Sequence, residues 1–193
     1  MSDKYINKYR IKSARAEWWD YGWNGAYFIT ICAKDMKHIF GTIKNGSMKL
    51  SRLGVITDVF WHEIPTRNTG VELGEFVVMP NHVHGILIIN RPKSHAPGFV
   101  KTLHATSLQT ETPRSPKTKN EFMSTICPKP NTIPTIIRSY KSAVTKHANR
   151  MGLINGWQAR YYDHIIRNAD AFNSISNYII NNPAKWEEGL KRP

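Results

Sequence analysis

Runs of apolar and polar residues change period along this chain, and the changes mark out its elements. Tyr27-Phe28-Ile29-Thr30-Ile31-Cys32, preceded by Gly25, is a β-branched and aromatic run that predicts a strand. His38 to Leu50 predicts a hairpin turning at Asn45-Gly46, a pair suited to the positive φ angles of a tight turn. Ser51 to Ile64 predicts a helix. Ser51 is placed to cap it, Ile56, Val59, Phe60 and Glu63 recur at helical spacing, and Pro65 lies just past its end. Val71 to Met79 and His82 to Ile89 predict two strands, with Pro80-Asn81 as the tight turn that pairs them antiparallel.

The longest helical stripe runs from Ile133 to Met151. Ile133, Ile136, Ile137, Tyr140 and Val144 share one face and Arg138, Lys141 and Thr145 another, and Gly152 and Gly156 break the pattern. Trp157 to Asn168 is aromatic and partly extended. Ala169 to Asn182 predicts a final helix stopped by Pro183, because proline lacks a donor and biases the residue before it away from helical geometry. Strand, hairpin, helix, two strands, helix, extended segment and helix together predict an α+β fold, an antiparallel sheet with helices packed on it. Residues 91–132 interrupt the order with a stretch rich in Pro, Lys, Ser and Thr and without periodicity. The expectation is therefore one domain over residues 1–193 with a basic, mobile insertion at 91–132.

Charge narrows the partners. With 27 Lys and Arg against 14 Asp and Glu, the formal charge is +13, which favours a polyanion, most simply nucleic acid. No stretch approaches the roughly 18 consecutive apolar residues of a membrane span, and Met1-Ser2-Asp3-Lys4-Tyr5 lacks the apolar core of a signal peptide. Cys32 and Cys127 form neither a close pair nor a metal-ligand spacing. A reduced, cytoplasmic protein is the expectation.

Chemistry concentrates in Met79-Pro80-Asn81-His82-Val83-His84. Two histidines two residues apart on a strand project to the same face, where two imidazoles can share one divalent ion. With oxygen donors beside them the ion would be Mg²⁺, Mn²⁺ or Zn²⁺, and no cysteine is near to make a closed structural zinc site. An isolated pair of this kind is equally compatible with ordinary strand residues. The last helix supplies possible partners, since Tyr178 and Asn182 are one turn apart on one face. A phenol is a weak nucleophile at neutral pH, but a metal-polarised phosphodiester eases its attack. Tyr178 is also compatible with a packing role beside Ile175 and Ile179, and Tyr140, Tyr161 and Tyr162 are rival tyrosines.

These pieces occur in an order that resembles the single-tyrosine HUH transposases (His, hydrophobic residue, His), above all their REP-associated branch and its insertion-sequence relatives. The matching segments are Asp20-Tyr21, Gly25 to Ile31, Phe40-Gly41, Met79 to Ile86, Arg138-Ser139-Tyr140-Lys141-Ser142, Trp157 to Asn168 and Tyr178 to Pro183, together spanning about residues 15–188 apart from the insertion. The resemblance implies a ferredoxin-like HUH endonuclease fold. It also implies cleavage and rejoining of single-stranded DNA, usually beside a hairpin, through a covalent 5′-phosphotyrosine with Mg²⁺ or Mn²⁺. By position Tyr178 matches the nucleophile, His82 and His84 the metal pair, and Asn182 the third ligand. Arg138, Lys141, Arg160, Tyr161 and Arg167 are candidate DNA contacts. Relatives of this kind act as monomers or as homodimers that exchange tyrosine helices.

Overall fold

The structure is a computed structural model. It describes residues 19–92 and 131–190, with 187–190 as backbone only, and the backbone of residues 4–5 and 8–9. Trp18, Cys127, the basic residues 10–15 and most of the 91–132 insertion lie outside the described residues. Two short paired strands, β1 (Lys4–Tyr5) and β2 (Lys8–Tyr9), precede the body of the fold. There follow β3 (Gly25–Cys32), a hairpin of β4 (Gly41–Lys44) and β5 (Ser47–Leu50), helices α1 (Arg52–His62) and α2 (Ile64–Arg67), and strands β6 (Val71–Val78) and β7 (His82–Ile89). Helix α3 (Ile133–Arg150), strand β8 (Tyr162–Ile166) and helix α4 (Ala169–Leu190) complete the chain.

The central sheet has the order β6-β7-β3-β8, with every neighbouring pair antiparallel. Alternation along the strands splits it into two apolar faces. Tyr27, Ile29 and Ile31 of β3 and Val83 and Leu87 of β7 face one way, into the main core with Trp61 of α1 and Ile136, Ile137, Tyr140 and Val144 of α3. Phe28 of β3 and Ile86 and Ile88 of β7 face the other way, onto Phe172, Ile175 and Ile179 of α4. The predicted α+β sandwich is what forms, with α1 and α3 on one side and α4 on the other.

Local chemistry explains most boundaries. Asn45 and Gly46 turn the hairpin with φ of 53° and 68°. Ser51 caps α1 by accepting from the amide of Gly54 at 3.0 Å, while its own hydroxyl donates to the Ile39 carbonyl at 2.8 Å. Helix α3 ends where Gly152 takes φ of 64°, so that Leu153 and Gly152 donate back to Ala148 and Asn149. The side chain of Arg91 donates to the Asn131 carbonyl at 2.6 Å, which brings together the two ends between which the insertion lies.

Three expectations need correction. The face of α1 that is buried carries Leu53, Thr57, Phe60 and Trp61, while Val59 is exposed and Ile56 only partly covered. The sheet and α3 set that rotation, and Tyr140 fixes it by donating its hydroxyl to the Thr57 carbonyl at 3.0 Å. The helix predicted to reach Ile64 ends at His62, and Pro65, past its end as expected, stands in the first turn of α2, where a missing amide proton costs nothing. Pro183 does not stop the last helix, which continues to Leu190 with Asn182 helical. A proline inside a helix costs about 3 kcal/mol. Tertiary contacts beyond it offset that: Trp186 packs its ring 5.7 Å from His82 and 5.8 Å from His38, and Ala184 lies against Gly46 of the hairpin.

Candidate active site

His82 and His84 open β7 on the sheet face covered by α4. The turn before them is pinned on both sides, since Ala33 donates to the Asn81 carbonyl at 2.8 Å and Phe40 to the Pro80 carbonyl at 3.1 Å. In the register of β3 with β7, Thr30 lies opposite His84 and Cys32 opposite His82. Both histidines are buried, and their Nε2 atoms are 3.0 Å apart. Burial lowers His82 to a pKa of about 4; burial, and then the neighbouring His82, lower His84 to about 3. Both rings are therefore neutral at pH 7, the form in which imidazole nitrogen donates a lone pair to a metal.

The second nitrogen of each ring is also held. Nδ1 of His82 lies 2.6 Å from Oδ1 of Asn81, an acceptor, so Nδ1 carries the proton and Nε2 is bare. Nδ1 of His84 lies 2.8 Å from the hydroxyl of Thr30, which can donate or accept. Phe28 lies beneath, its ring stacked 5.2 Å from that of His84.

Helix α4 brings Tyr178 and Trp186 against this pair. The Tyr178 hydroxyl is 3.3 Å from Nε2 of His84, and the Tyr178 ring meets the edge of Phe28 at 6.2 Å. One turn on, Asn182 is buried; a further turn on, Trp186 reaches His82. Asn182 thus lies midway on the helix between two residues that touch the two histidines. Tyr178 remains 46% exposed.

Two neutral imidazole nitrogens are borderline donors that suit a divalent transition ion, and oxygen ligands beside them would admit Mn²⁺ or Mg²⁺. Two nitrogens 3.0 Å apart are the span of two adjacent ligands about 2.1 Å from one ion at a right angle. Among the described residues no three of His, Cys, Asp and Glu come together as a metal site.

The remaining candidates separate. Lys141 is not a free cation: its amine donates to the carbonyls of Gln158 at 2.6 Å and Arg160 at 3.5 Å, tying α3 to the segment before β8, and burial lowers its pKa. Tyr161 is half-buried against the main core with its hydroxyl shielded from solvent. Tyr162 is 57% exposed on the active-site face, its edge 6.4 Å from Phe28. Arg160 and Arg167 are exposed at either end of β8, and Arg138 is exposed on α3. Tyr140 is fully inside the core and inaccessible to substrate. The sequence assigns Asn81 only to the turn before β7 and gives Thr30, Phe28 and Trp186 no part in the site. The strand register would have disclosed Thr30, whereas Trp186 was hidden by the expectation that Pro183 ends the helix.

Among the described residues no helix is long and apolar enough to cross a membrane. No protein-family model matches the chain. A solved structure of a REP-associated tyrosine transposase bound to a REP hairpin superposes with a TM-score of 0.54 over 91% of this chain and 74% of the other, at 16% identity, so the two share a fold. An uncharacterized protein of Haemophilus influenzae is 35% identical over 190 residues, covering 97% of each chain, and the present chain belongs to one family with it.

Proposed function

We propose that this protein is a single-tyrosine HUH transposase that cleaves and rejoins single-stranded DNA beside hairpins through a 5′-phosphotyrosine intermediate. The observation that carries the reading is the convergence of the Tyr178 hydroxyl, 3.3 Å from His84, on two neutral imidazoles whose Nε2 atoms are 3.0 Å apart. The shared fold with a REP-associated transposase supports it.

His82, His84 and the Asn182 carboxamide would hold Mg²⁺ or Mn²⁺. When bound, such an ion supplies Lewis-acid polarisation of the phosphoryl oxygens. Phe28 and the buried walls hold the imidazoles, and the Tyr178 oxygen is presented from a helix rather than a loop, which fixes its line of approach. Its attack forms the Oη–P bond as the P–O3′ bond breaks. The phenolic proton passes to solvent, and the departing oxygen takes a proton to become a free 3′ hydroxyl. Rejoining is the reverse, with a 3′ hydroxyl attacking the phosphotyrosine and Tyr178 leaving.

The test is incubation with hairpin-bearing single-stranded DNA and Mn²⁺, followed by a denaturing gel. The wild type is expected to form a protein–DNA adduct and Tyr178→Phe none, with binding retained. Cutting that survives Tyr178→Phe would mean a water-using phosphodiesterase. Binding without an adduct on any cognate strand would mean a hairpin-binding protein that does not cut.

A further inference from the structure

On the side of the sandwich away from α4, a concave surface runs between α3 and the α1–α2 corner. It encloses about 390 Å³ and is lined by Arg67 of α2, by Phe60 of α1, and by Arg138, Ser139, Ser142, Lys146 and His147 of α3. The α3 residues fall into place because 138, 142 and 146 form one ridge of the helix and 139, 143 and 147 the next. Cationic groups from two elements thus converge on one hollow. Arg67 is paired with Glu63 at 2.6 Å, and exposed pairs of this kind are weak.

We infer that this groove is a second nucleic-acid contact, one that grips backbone phosphates and does not read bases. The floor decides between the two. Phe60 is only 9% exposed, with Arg67 5.7 Å over its ring and His147 at 4.7 Å, so it presents no open face for a base to stack on. What remains accessible is guanidinium, ammonium and hydroxyl groups, the set that binds phosphate oxygens. Two exposed aromatics, Tyr162 and Tyr178, lie by contrast on the opposite side of the sheet. The inference rests on the DNA-acting reading only for its choice of polyanion. It adds that bound DNA extends from the catalytic face to the far side of the sheet.

The test is the salt dependence of hairpin-DNA affinity, measured by fluorescence anisotropy in the Tyr178→Phe background so that no chemistry intervenes. Arg138→Gln with Lys146→Gln is expected to lower the slope of log K against log salt by about two, one for each phosphate no longer neutralised. The charge-preserving pair Arg138→Lys with Lys146→Arg is expected to restore it. An unchanged slope in a double variant that melts like its parent would overturn the inference, as would absence of DNA binding altogether. Loss of binding to phosphatidylserine vesicles with an unchanged DNA slope would make the groove a membrane contact instead. A reduced slope together with a wild type that never forms an adduct would leave the groove standing while the transposase reading fell.

Discussion

The hydroxyl of Tyr178 lies 3.3 Å from Nε2 of His84, across 94 residues of sequence. In the proposed function it is a neighbour of the metal site and not itself one of the donors, which would be two imidazoles and a carboxamide. Tyr178→Phe keeps the ring against Phe28 and removes only the oxygen. Mn²⁺ affinity of the variant is therefore expected to stay within about threefold of wild type, the scale of an exposed substitution, while adduct formation disappears. Titration of Mn²⁺ by calorimetry checks this. A large loss of affinity would make the phenol a ligand and not a nucleophile in waiting.

Gly85, between His84 and Ile86, is glycine for want of space. A Cβ there would sit 2.3 Å from the Trp61 ring and 2.9 Å from Phe76, which stack on each other at 4.5 Å. Gly85→Ala is expected to destabilise the fold by at least ~1–3 kcal/mol, the cost of overpacking a filled core. Urea unfolding reads it directly. A midpoint equal to wild type would show that the aromatic pair can yield, and that β7 is less tightly clamped than its packing implies.

How far fold and site are legible in the sequence depends on whether local or tertiary terms decide. The strands around Ile29 and Ile86, the Asn45-Gly46 turn and the stripe of α3 are legible because period, turn chemistry and burial agree there. The histidine pair is legible because strand alternation alone puts residues 82 and 84 on one face. The rotation of α1 is not, since Leu53, Thr57 and Trp61 are buried by what α1 meets in space. Nor is the course of α4 through Pro183, because the contacts of Trp186 with His82 and His38 that offset the proline are long-range. Tyr178 and Asn182 can be paired as one helix face, but no spacing rule says which strand lies beneath them.

Acid should loosen the metal-free protein before its carboxylates titrate. The ordinary histidine value is 6.5, and the folded values are about 4 for His82 and about 3 for His84. Below pH 6.5 the unfolded chain takes up protons that the folded chain refuses. The neutral pair thus imposes no penalty above that pH, and stability falls as the pH drops from there towards the folded values. The slope is ~1.4 kcal/mol per pH unit for each histidine. Urea midpoints taken from about pH 7 down to about pH 5, in chelator, are expected to fall in the wild type. They should stay nearly flat in the double variant His82→Gln, His84→Gln. Equal slopes in the two proteins would show that the imidazoles are hydrated in the folded state.

Asn81 and Thr30 divide the work of presenting the two Nε2 atoms. Asn81, 2.6 Å from Nδ1 of His82, holds that ring in one tautomer whether or not an ion is present. Thr30, 2.8 Å from Nδ1 of His84, has to serve two. In the metal-free state the 3.0 Å contact between the Nε2 atoms requires a proton on one of them. With His82 fixed, that proton sits on His84, whose Nδ1 then accepts from the threonine hydroxyl. Binding an ion would remove it, move the His84 proton to Nδ1, and turn the hydroxyl into an acceptor, which a freely rotating O–H allows. Asn81→Ala leaves the backbone carbonyl that accepts from Ala33 and deletes only the orienting oxygen. It is expected to weaken Mn²⁺ binding by ~10–100-fold, the usual effect of losing a partner behind a metal-bound histidine. Thr30→Val strands a buried Nδ1–H only in the metal-bound form, so it too should weaken binding, and nitrogen-15 NMR of the metal-free variant should still find His82 protonated at Nδ1. If Asn81→Ala binds Mn²⁺ as tightly as wild type and its His82 tautomer is unchanged, the orienting role belongs to the strand itself and not to the asparagine.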